Sequence, residues 1–577
     1  MISKLAQWYA RAPLRVSLLA AALLTATGLG VGFVGDDCYH LMILKGGKTP
    51  ASDGSLFTFI SGDPVETRRF IQTGPFPWWT LPEAKAQFYR PLSVAMHKLD
   101  FALFGERAVF WHIHAMLWYL ALVALWGLIA REVVSAPVAA LATLIFAIDD
   151  VHWMPAVWLA NRNALVACVP ALFGLWAHIR WREDEWRPGL PLSVVGYVIG
   201  MFGGEAWLGM AAYVAAYEFA GRTDSVARRA LSIAPAAICA VVYAIAYKLS
   251  DYGVYGSGAY TEPLSREYFL DAPNRMLSLL GGLLVSSPVD AWGFFPEWRW
   301  LLAAAGLAGV MLFGFLLRKF WPRLDTRDTF ALRWLILGGV LSMFPVIAAF
   351  PMNRLLLGPS LGGSVVVAMI LRAWWQGRGE RKWRAVGIVC GIIAGIHLVL
   401  APVAWPLQSA VVSFIGRWGE QAYRDAPIDD ARVAQQHLVL LAANDPLTLM
   451  YPPILRFLDG RPLPASWHVL SASPHDHTFT RTGLRQFELK TTRGALMQGV
   501  FAEILRAKSF PYTEGDLVDL GFCRLTLLDV LEGSPTRMRV DCEKPLEDES
   551  LVFLVWQDFR LREFALPRTG ETVTVRY

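Results

Sequence analysis

Apolar runs of about 16–20 residues recur from Val16 to roughly Ala401, and they constrain the fold more than any other feature. Soluble cores have no use for so many segments of that length. With 55% hydrophobic and only 18% charged residues in 577, the chain reads as an α-helical polytopic membrane protein with about 11 spanning helices. The spans fall near 16–34, 109–130, 133–148, 164–179, 190–202, 206–219, 230–247, 300–317, 334–350, 355–371 and 385–401. The first follows Lys4, Arg11 and Arg15, and no small-x-small site precedes the polar Gly35-Asp36-Asp37, so it reads as an uncleaved span.

Charge then orients the bundle. One alternating set of loops holds Arg131; Arg180, Arg182 and Arg187; Arg222, Arg228 and Arg229; Arg318, Lys319 and Arg323; and Arg372, Arg378, Arg381, Lys382 and Arg384. By the positive-inside rule these are cytoplasmic, as is the basic N-terminus. An odd number of spans puts the C-terminal part outside, in a bacterial inner membrane facing the periplasm. The net charge of +5 is too small and scattered to suggest nucleic acid. Many of the 24 tryptophans lie near the ends of these segments and read as interfacial anchors.

The expected domains are a membrane part over 1–401, with outer loops 35–108 and 248–300; a linker or amphipathic segment over 402–434; and a β-rich extracytoplasmic domain over 435–577. The outer loops mix Pro, Gly and aromatics, and are expected to lie on the membrane as short amphipathic helices. The last segment alternates in strand fashion at His437-Leu-Val-Leu-Leu, Phe487-Glu-Leu-Lys, Phe522 to Leu528, Met538-Arg-Val-Asp, Leu551 to Trp556 and Thr572-Val-Thr-Val-Arg, which suits a sandwich or barrel. Cys523 and Cys542 are equidistant from a turn near Glu532-Gly533. A hairpin would set them opposite each other, to form a cross-strand disulfide in an oxidising compartment or to stay as two buried thiols.

Ionisable residues near membrane depth are costly and are functional candidates by default. Asp36 and Asp37 follow the first span. Asp149 and Asp150 follow a third span of about 16 residues, roughly 24 Å long, which is short of a core about 30 Å thick. Glu205 follows a shorter fifth span, and Arg162 and Arg354 are basic residues in short outer loops. A carboxylate at such a boundary can act as general base toward a hydroxyl. Paired carboxylates can hold a divalent cation, Mg or Mn; Asp37 and Asp150, with His152 as a further ligand, are the candidates. Arginines can clamp a phosphate and stabilise it as a leaving group.

At these residues the chain resembles the GT-C superfamily of membrane glycosyltransferases. Within it, the chain is most similar to the transmembrane O-mannosyltransferases that carry tetratricopeptide repeats and to their bacterial relatives. The resemblance rests on Gly35-Asp36-Asp37-Cys38-Tyr39-His40; on Tyr89-Arg90-Pro91-Leu92 with Asp100 to Gly105 and Trp111-His112; and on Phe146 to His152 with Asn161-Arg162-Asn163. It extends to Gly204-Glu205 and to Phe350-Pro-Met-Asn-Arg354 with Pro359-Ser360, over roughly Val16 to Leu371. It implies a GT-C fold, a polyprenyl-phosphate-linked sugar donor and a protein or glycan acceptor. Asp36 or Asp37 would then be the catalytic base or metal-associated acid, with Asp149, Asp150 and Glu205 supporting acceptor or cation. Arg354 would meet the donor phosphate, with Arg90 and Arg162. Two departures stand out. Gly204 replaces the Lys common in relatives, and no tetratricopeptide repeat follows the membrane part.

Other motifs weigh less. His112 and His114, two apart on a helix, face different ways and do not suit one metal. His475 and His477 would share a strand face and could bind a metal, though a solvated loop is the plainer reading. Competing functions are transfer of another lipid-borne group, such as a phospholipid headgroup, and a non-enzymatic transporter or assembly factor. Transporters show repeated halves and midplane polar residues, and neither is visible in this chain.

Overall fold

The computed structural model describes residues 12–47, 54–377, 384–443, 450–557 and 560–576. Lys4, Arg11, Arg378, Arg381 and Lys382 lie outside them. The chain divides into two compact units. One comprises Met1–Gly32, Phe88–Tyr252 and Glu262–Ser413; the other comprises Phe33–Gln87, Gly253–Thr261 and Phe414–Tyr577.

The first unit is helical. Among the described residues seven helices are long and apolar enough to cross a membrane, and the pair Ala136–Ile148 and Asp150–Val157, bent by 48°, makes an eighth if it is one span. This is an integral membrane protein. Unpartnered apolar faces agree: on Val226–Leu249, Ile238, Val241, Val242 and Ile245 are all exposed, which only a lipid solvent tolerates at this density. Shorter helices stand between this number and the expected count of about eleven. Among the described residues Gly189–Gly203, Trp207–Ala220 and Thr326–Leu341 are helices of only 15, 14 and 16 residues, about 21–24 Å long against a core of about 30 Å.

The segments expected as loops also carry helices. Residues 266–285, read as outer loop, form the helix Arg266–Val285, which packs along Arg299–Phe320. The approach is so close that a Cβ on Gly306 would stand 1.7 Å from the Leu277 carbonyl oxygen. Arg266, Glu267, Asp271 and Arg275 mask its apolar face in a hydropathy reading. The segment expected as a linker or amphipathic stretch over 402–434 is helical from Ala401 to Arg424.

The second unit gathers three segments distant in sequence. Short strands β1 (Thr58–Ser61), β2 (Lys85–Gln87) and β3 (Gly253–Tyr255) form one sheet. The C-terminal segment adds β4 (His437–Leu440), β5 (Ser466–Val469), β6 (His477–Arg481), β7 (Gln486–Thr491), β8 (Leu517–Asp519), β9 (Cys523–Leu531), β10 (Ser534–Cys542), β11 (Leu551–Gln557), β12 (Arg560–Glu563) and β13 (Thr572–Val575). They make an antiparallel six-stranded sheet, β13-β6-β7-β10-β9-β8, and a mixed four-stranded sheet, β12-β11-β4-β5. Phe479 and Phe487 of the first meet Phe564, just past β12, and Phe553 of the second at centroid distances of 4.9 and 5.6 Å. The result is a sandwich, and all six segments of alternating sequence are strands in it.

Apolar residues from the first part of the first outer loop are used inside this unit. Trp78 and Trp79 are fully buried in the core with Trp467, and the Trp78 indole N–H donates to the Leu470 carbonyl at 3.0 Å. Each buried indole is worth about 4–6 kcal/mol at most, from 150–250 Å² at roughly 25 cal/mol per Å². Arg506 Nε donates to the Trp79 carbonyl at 2.8 Å. Gly74 ends the helix Pro64–Thr73 at φ +95, and a Cβ there would meet the Trp467 carbonyl oxygen at 1.8 Å, so the loop seats against β5 only through glycine. Tryptophan is thus as much core as belt: Trp111, Trp126, Trp207, Trp334 and Trp405 are fully buried too, while Trp300 and Trp375 are exposed.

Glu532 and Gly533 both take positive φ, which closes β9 onto β10 in a primed turn. The register sets Cys523 opposite Cys542, and the two are joined in a disulfide. His475 is half-buried, and His477 is fully buried with Nε2 2.8 Å from the Ser471 hydroxyl.

Alkylation of the unfolded, unreduced chain is expected to modify four of the six thiols, and Cys523→Ser with Cys542→Ser is expected to cost about 2–4 kcal/mol by thermal unfolding. Acid should also loosen this unit. Burial pushes the His468 imidazole down to about 3 and the His477 imidazole down to about 4. Both are neutral in the fold, whereas the unfolded chain binds their protons below about pH 6.5. Their contribution is complete above that pH and is lost as pH falls toward 4, with a slope of up to about 1.4 kcal/mol per pH unit for each group. His468→Gln is expected to flatten the pH dependence of the unfolding temperature over that range.

Candidate functional site

The candidate residues fall in both units. Arg90, Asp149, Asp150, His152, Arg162, Glu205 and Arg354 belong to the helical unit, and Asp36 and Asp37 to the other. Each group is built up within its own unit.

In the helical unit, segments of the family-like motifs hydrogen-bond to one another. Arg90 stands immediately before the helix Pro91–Phe104, whose proline ring sets the first turn. Its Nε lies 2.9 Å from Glu205 Oε2, and the Tyr247 hydroxyl donates to Glu205 Oε1 at 3.2 Å. The guanidinium also covers the Phe88 ring at 4.5 Å. Gly204 makes this pairing possible. Its φ is +141, and a Cβ there would stand 3.2 Å from Arg90 Cγ. The Arg90 side chain thus runs across the bare glycine.

Arg162 has a different task from the one expected. It is 1% exposed, and its Nη2 lies 2.6 Å from Asp100 Oδ2. Asp100 Oδ1 is 2.6 Å from His114 Nδ1, and the Trp118 indole N–H donates to His114 Nε2 at 3.0 Å, which puts the imidazole proton on Nδ1. Arg162 also donates to the Trp111 carbonyl at 3.3 Å. This pair clamps three helices and does not present a cation to a ligand. His112 turns away to the Gly32 carbonyl, 3.0 Å from Nε2, so the two histidines do diverge.

The chain bends after Ile148. Asp149 is buried and accepts the Val151 N–H at 3.2 Å as a helix cap, and Asp150, half-buried, accepts from Gln408 Nε2 at 3.0 Å. His152 is wholly buried. Its Nδ1 is 3.1 Å from the Tyr119 hydroxyl and 3.0 Å from the Phe146 carbonyl, and its Nε2 is 2.7 Å from the Ser360 hydroxyl. Both ring nitrogens are engaged, so His152 is a strut between two motif segments and not a metal ligand. The short helical turn from Asp150 packs against the turn Asn353–Leu355. Arg354 there lies 6.0 Å from the Trp158 ring and 5.7 Å from the Phe350 ring.

Asp290 joins this cluster and escaped the sequence reading. Its Oδ1 accepts the Asn353 N–H at 2.9 Å and its Oδ2 accepts Asn353 Nδ2 at 3.0 Å. Burial pushes its carboxyl up, while the Asn353 N–H and the charge of Arg354 hold it back. A lone Asp after Pro288-Val289 in a long loop carries no motif; only its place between Asp150 and Arg354 marks it.

In the second unit, Gly35 turns the chain at φ +60 into the helix Asp36–Leu44. Asp37 is buried, and its Oδ2 accepts the Val34 N–H at 3.0 Å. Asp36 is half-buried, and its Oδ1 accepts the Tyr451 hydroxyl at 2.5 Å. Tyr451 opens the helix Pro452–Leu458, which packs on Asp36–Leu44. Of the two carboxylates, Asp37 caps its own turn and Asp36 accepts from a residue of the C-terminal segment.

A divalent cation does not fit these residues. His152 and Asp37 have their donor atoms engaged as described. Among the described residues no group of three His, Cys, Asp or Glu side chains is placed to hold a metal ion.

No family model and no curated protein matches the chain. Solved structures do resemble it. One is the oligosaccharyltransferase of Archaeoglobus fulgidus, tethered with an acceptor peptide containing the NVT sequon, at 13% identity and a TM-score of 0.40. That match covers 80% of this chain and spans 64% of the archaeal chain. Another is ArnT from Cupriavidus metallidurans bound to undecaprenyl phosphate, at 12% identity and a TM-score of 0.41, over 79% of this chain and 86% of that one. The functional reading that follows stands on this chain's own residues.

Asp100→Asn is expected to strand the Arg162 charge and cost about 3–5 kcal/mol, seen as a lower unfolding temperature in detergent. Asp100→Leu combined with Arg162→Met is expected to recover most of that loss.

Proposed function

We propose that the chain is a membrane glycosyltransferase of the GT-C type that moves a sugar from a polyprenyl-phosphate-linked donor to an extracytoplasmic protein or glycan. The observation that carries this reading is the Asp36 carboxylate. It opens the helix that follows the Gly35 turn beyond the first span and accepts a hydrogen bond from the half-buried Tyr451 phenol. A half-buried carboxylate at this boundary can act as general base toward a hydroxyl.

In the reaction Asp36 takes the proton of the acceptor hydroxyl as its oxygen bonds to the anomeric carbon. The bond from that carbon to the phosphate oxygen breaks, and the electron pair leaves with the polyprenyl phosphate. As the resemblance implies, Arg354 meets the charge that develops there, with Arg90 as the second cation; Glu205 holds Arg90, Asp290 holds Asn353 next to Arg354, and Asp149 and Asp150 shape the turn that packs on Asn353–Leu355. Arg162 drops out because Asp100 already balances it. No step needs a metal. The N-terminus is cytoplasmic in this reading, and the β-rich unit lies on the far side of a bacterial inner membrane, where its disulfide is stable.

The test uses purified protein in lipid nanodiscs, labelled polyprenyl-phosphate hexoses and envelope extract as the acceptor source. Asp36→Asn is expected to lower the rate of label transfer by about 10²–10⁴-fold. Arg354→Ala is expected to raise KM for the donor by about 10–100-fold, the equivalent of losing one charge-assisted hydrogen bond. Full activity in Asp36→Asn, or label moving only from a phospholipid headgroup, would remove the glycosyltransferase reading.

A further inference from the structure

The C-terminal segment supplies one side chain directly to the proposed base. Tyr451 is half-buried, and its hydroxyl donates to Asp36 Oδ1 at 2.5 Å across 415 residues of sequence. The contact is built into packing on both sides. The helix Pro452–Leu458 lies on Asp36–Leu44, and Lys45 Nζ, just past the end of the latter, donates to the Leu458 carbonyl at 3.4 Å. Gly35 keeps the turn bare, so that even a Cβ there would stand 3.9 Å from the Tyr451 hydroxyl.

We infer that Tyr451 is a positioning residue that fixes Asp36 and sets its basicity, which makes the C-terminal segment part of the catalytic apparatus and not only a place where acceptors dock. The inference rests on the reading of Asp36 as the base. A hydrogen bond to the ionised form of a carboxyl lowers its pKa, so the phenol keeps Asp36 unprotonated and ready to accept a proton. The donor itself stays protonated, because burial and the neighbouring Asp36 charge push the Tyr451 hydroxyl well up. Other groups face the pair. Asp37 and Cys38 lie on the same helix, and Glu420 acts on Cys38 from the helix Ala401–Arg424 while pairing with Arg424 at 2.6 Å. Burial pushes the Cys38 thiol up, so it adds no charge at neutral pH.

The experiment is the pH profile of kcat for label transfer in the full-length protein. Tyr451→Phe keeps the ring and removes the donor. Its acidic limb is expected to move up by about one pH unit, with the plateau at high pH kept within a few-fold. A merely structural tyrosine would lower the rate at every pH and leave the limb in place. Should Tyr451→Phe not fold, 3-fluorotyrosine incorporated at position 451 gives the same answer from the other side: a stronger donor is expected to move the acidic limb down. Limbs unmoved by the variant that folds, with Asp36→Asn inactive, overturn the inference and leave the base in place. An active Asp36→Asn overturns the reading of the base itself.

Discussion

A guanidinium withdrawn from water must be matched by a carboxylate, and in the helical unit that requirement organises everything else. Arg162 and Asp100 are each about 1% exposed and 2.6 Å apart. The same solution recurs elsewhere. Arg182 holds Glu218 through two nitrogens and reaches Asp224. Asp328 binds both the backbone and the hydroxyl of Ser135 and is met by Arg372. Such pairs add little net stability over apolar packing, yet mispairing is expensive, so they select one arrangement of helices among many. The partners come from separate helices, which turns each pair into a statement about register.

The candidate chemistry is layered onto that scaffold. Arg90 and Arg354 are each held by a neighbouring carboxylate, directly through Glu205 or by way of Asn353 and Asp290. An arginine fixed in this way loses less rotamer freedom when a phosphate arrives. Asp36 accepts a hydrogen bond from a neutral donor, the Tyr451 phenol.

Much of this was legible from residue order. The helices, the six alternating strands and the hairpin that joins Cys523 to Cys542 all follow from local periodicity and turn chemistry, which act over a few residues. What escaped was set by distant partners. Trp78 and Trp79 look like membrane anchors until Trp467 and Leu470 are seen to cover them. Arg182 and Arg372 count as loop charges by position, yet each is paired with acids on other helices. Arg162 carries the same side chain whether it meets a phosphate or Asp100, and only the fold decides. Asp290 and Tyr451 had no flanking motif at all. The motifs of the family resemblance were informative for a physical reason: Arg90 meets Glu205, Asp100 meets Arg162, and His152 meets Ser360, so several of them are halves of contacts.

The second unit is assembled from the beginning, the middle and the end of the chain, and that has a cost during biosynthesis. The strands at Thr58–Ser61 and Lys85–Gln87 emerge early, but β5 and the core around Trp467 arrive hundreds of residues later. At 5–20 residues per second the wait is on the order of half a minute to a minute and a half. Throughout it two indoles and open strand edges stand uncovered. A nascent chain of this kind needs shelter from a chaperone on the side where that loop emerges, and a ribosome that stalls late leaves behind a product able to insert but unable to close.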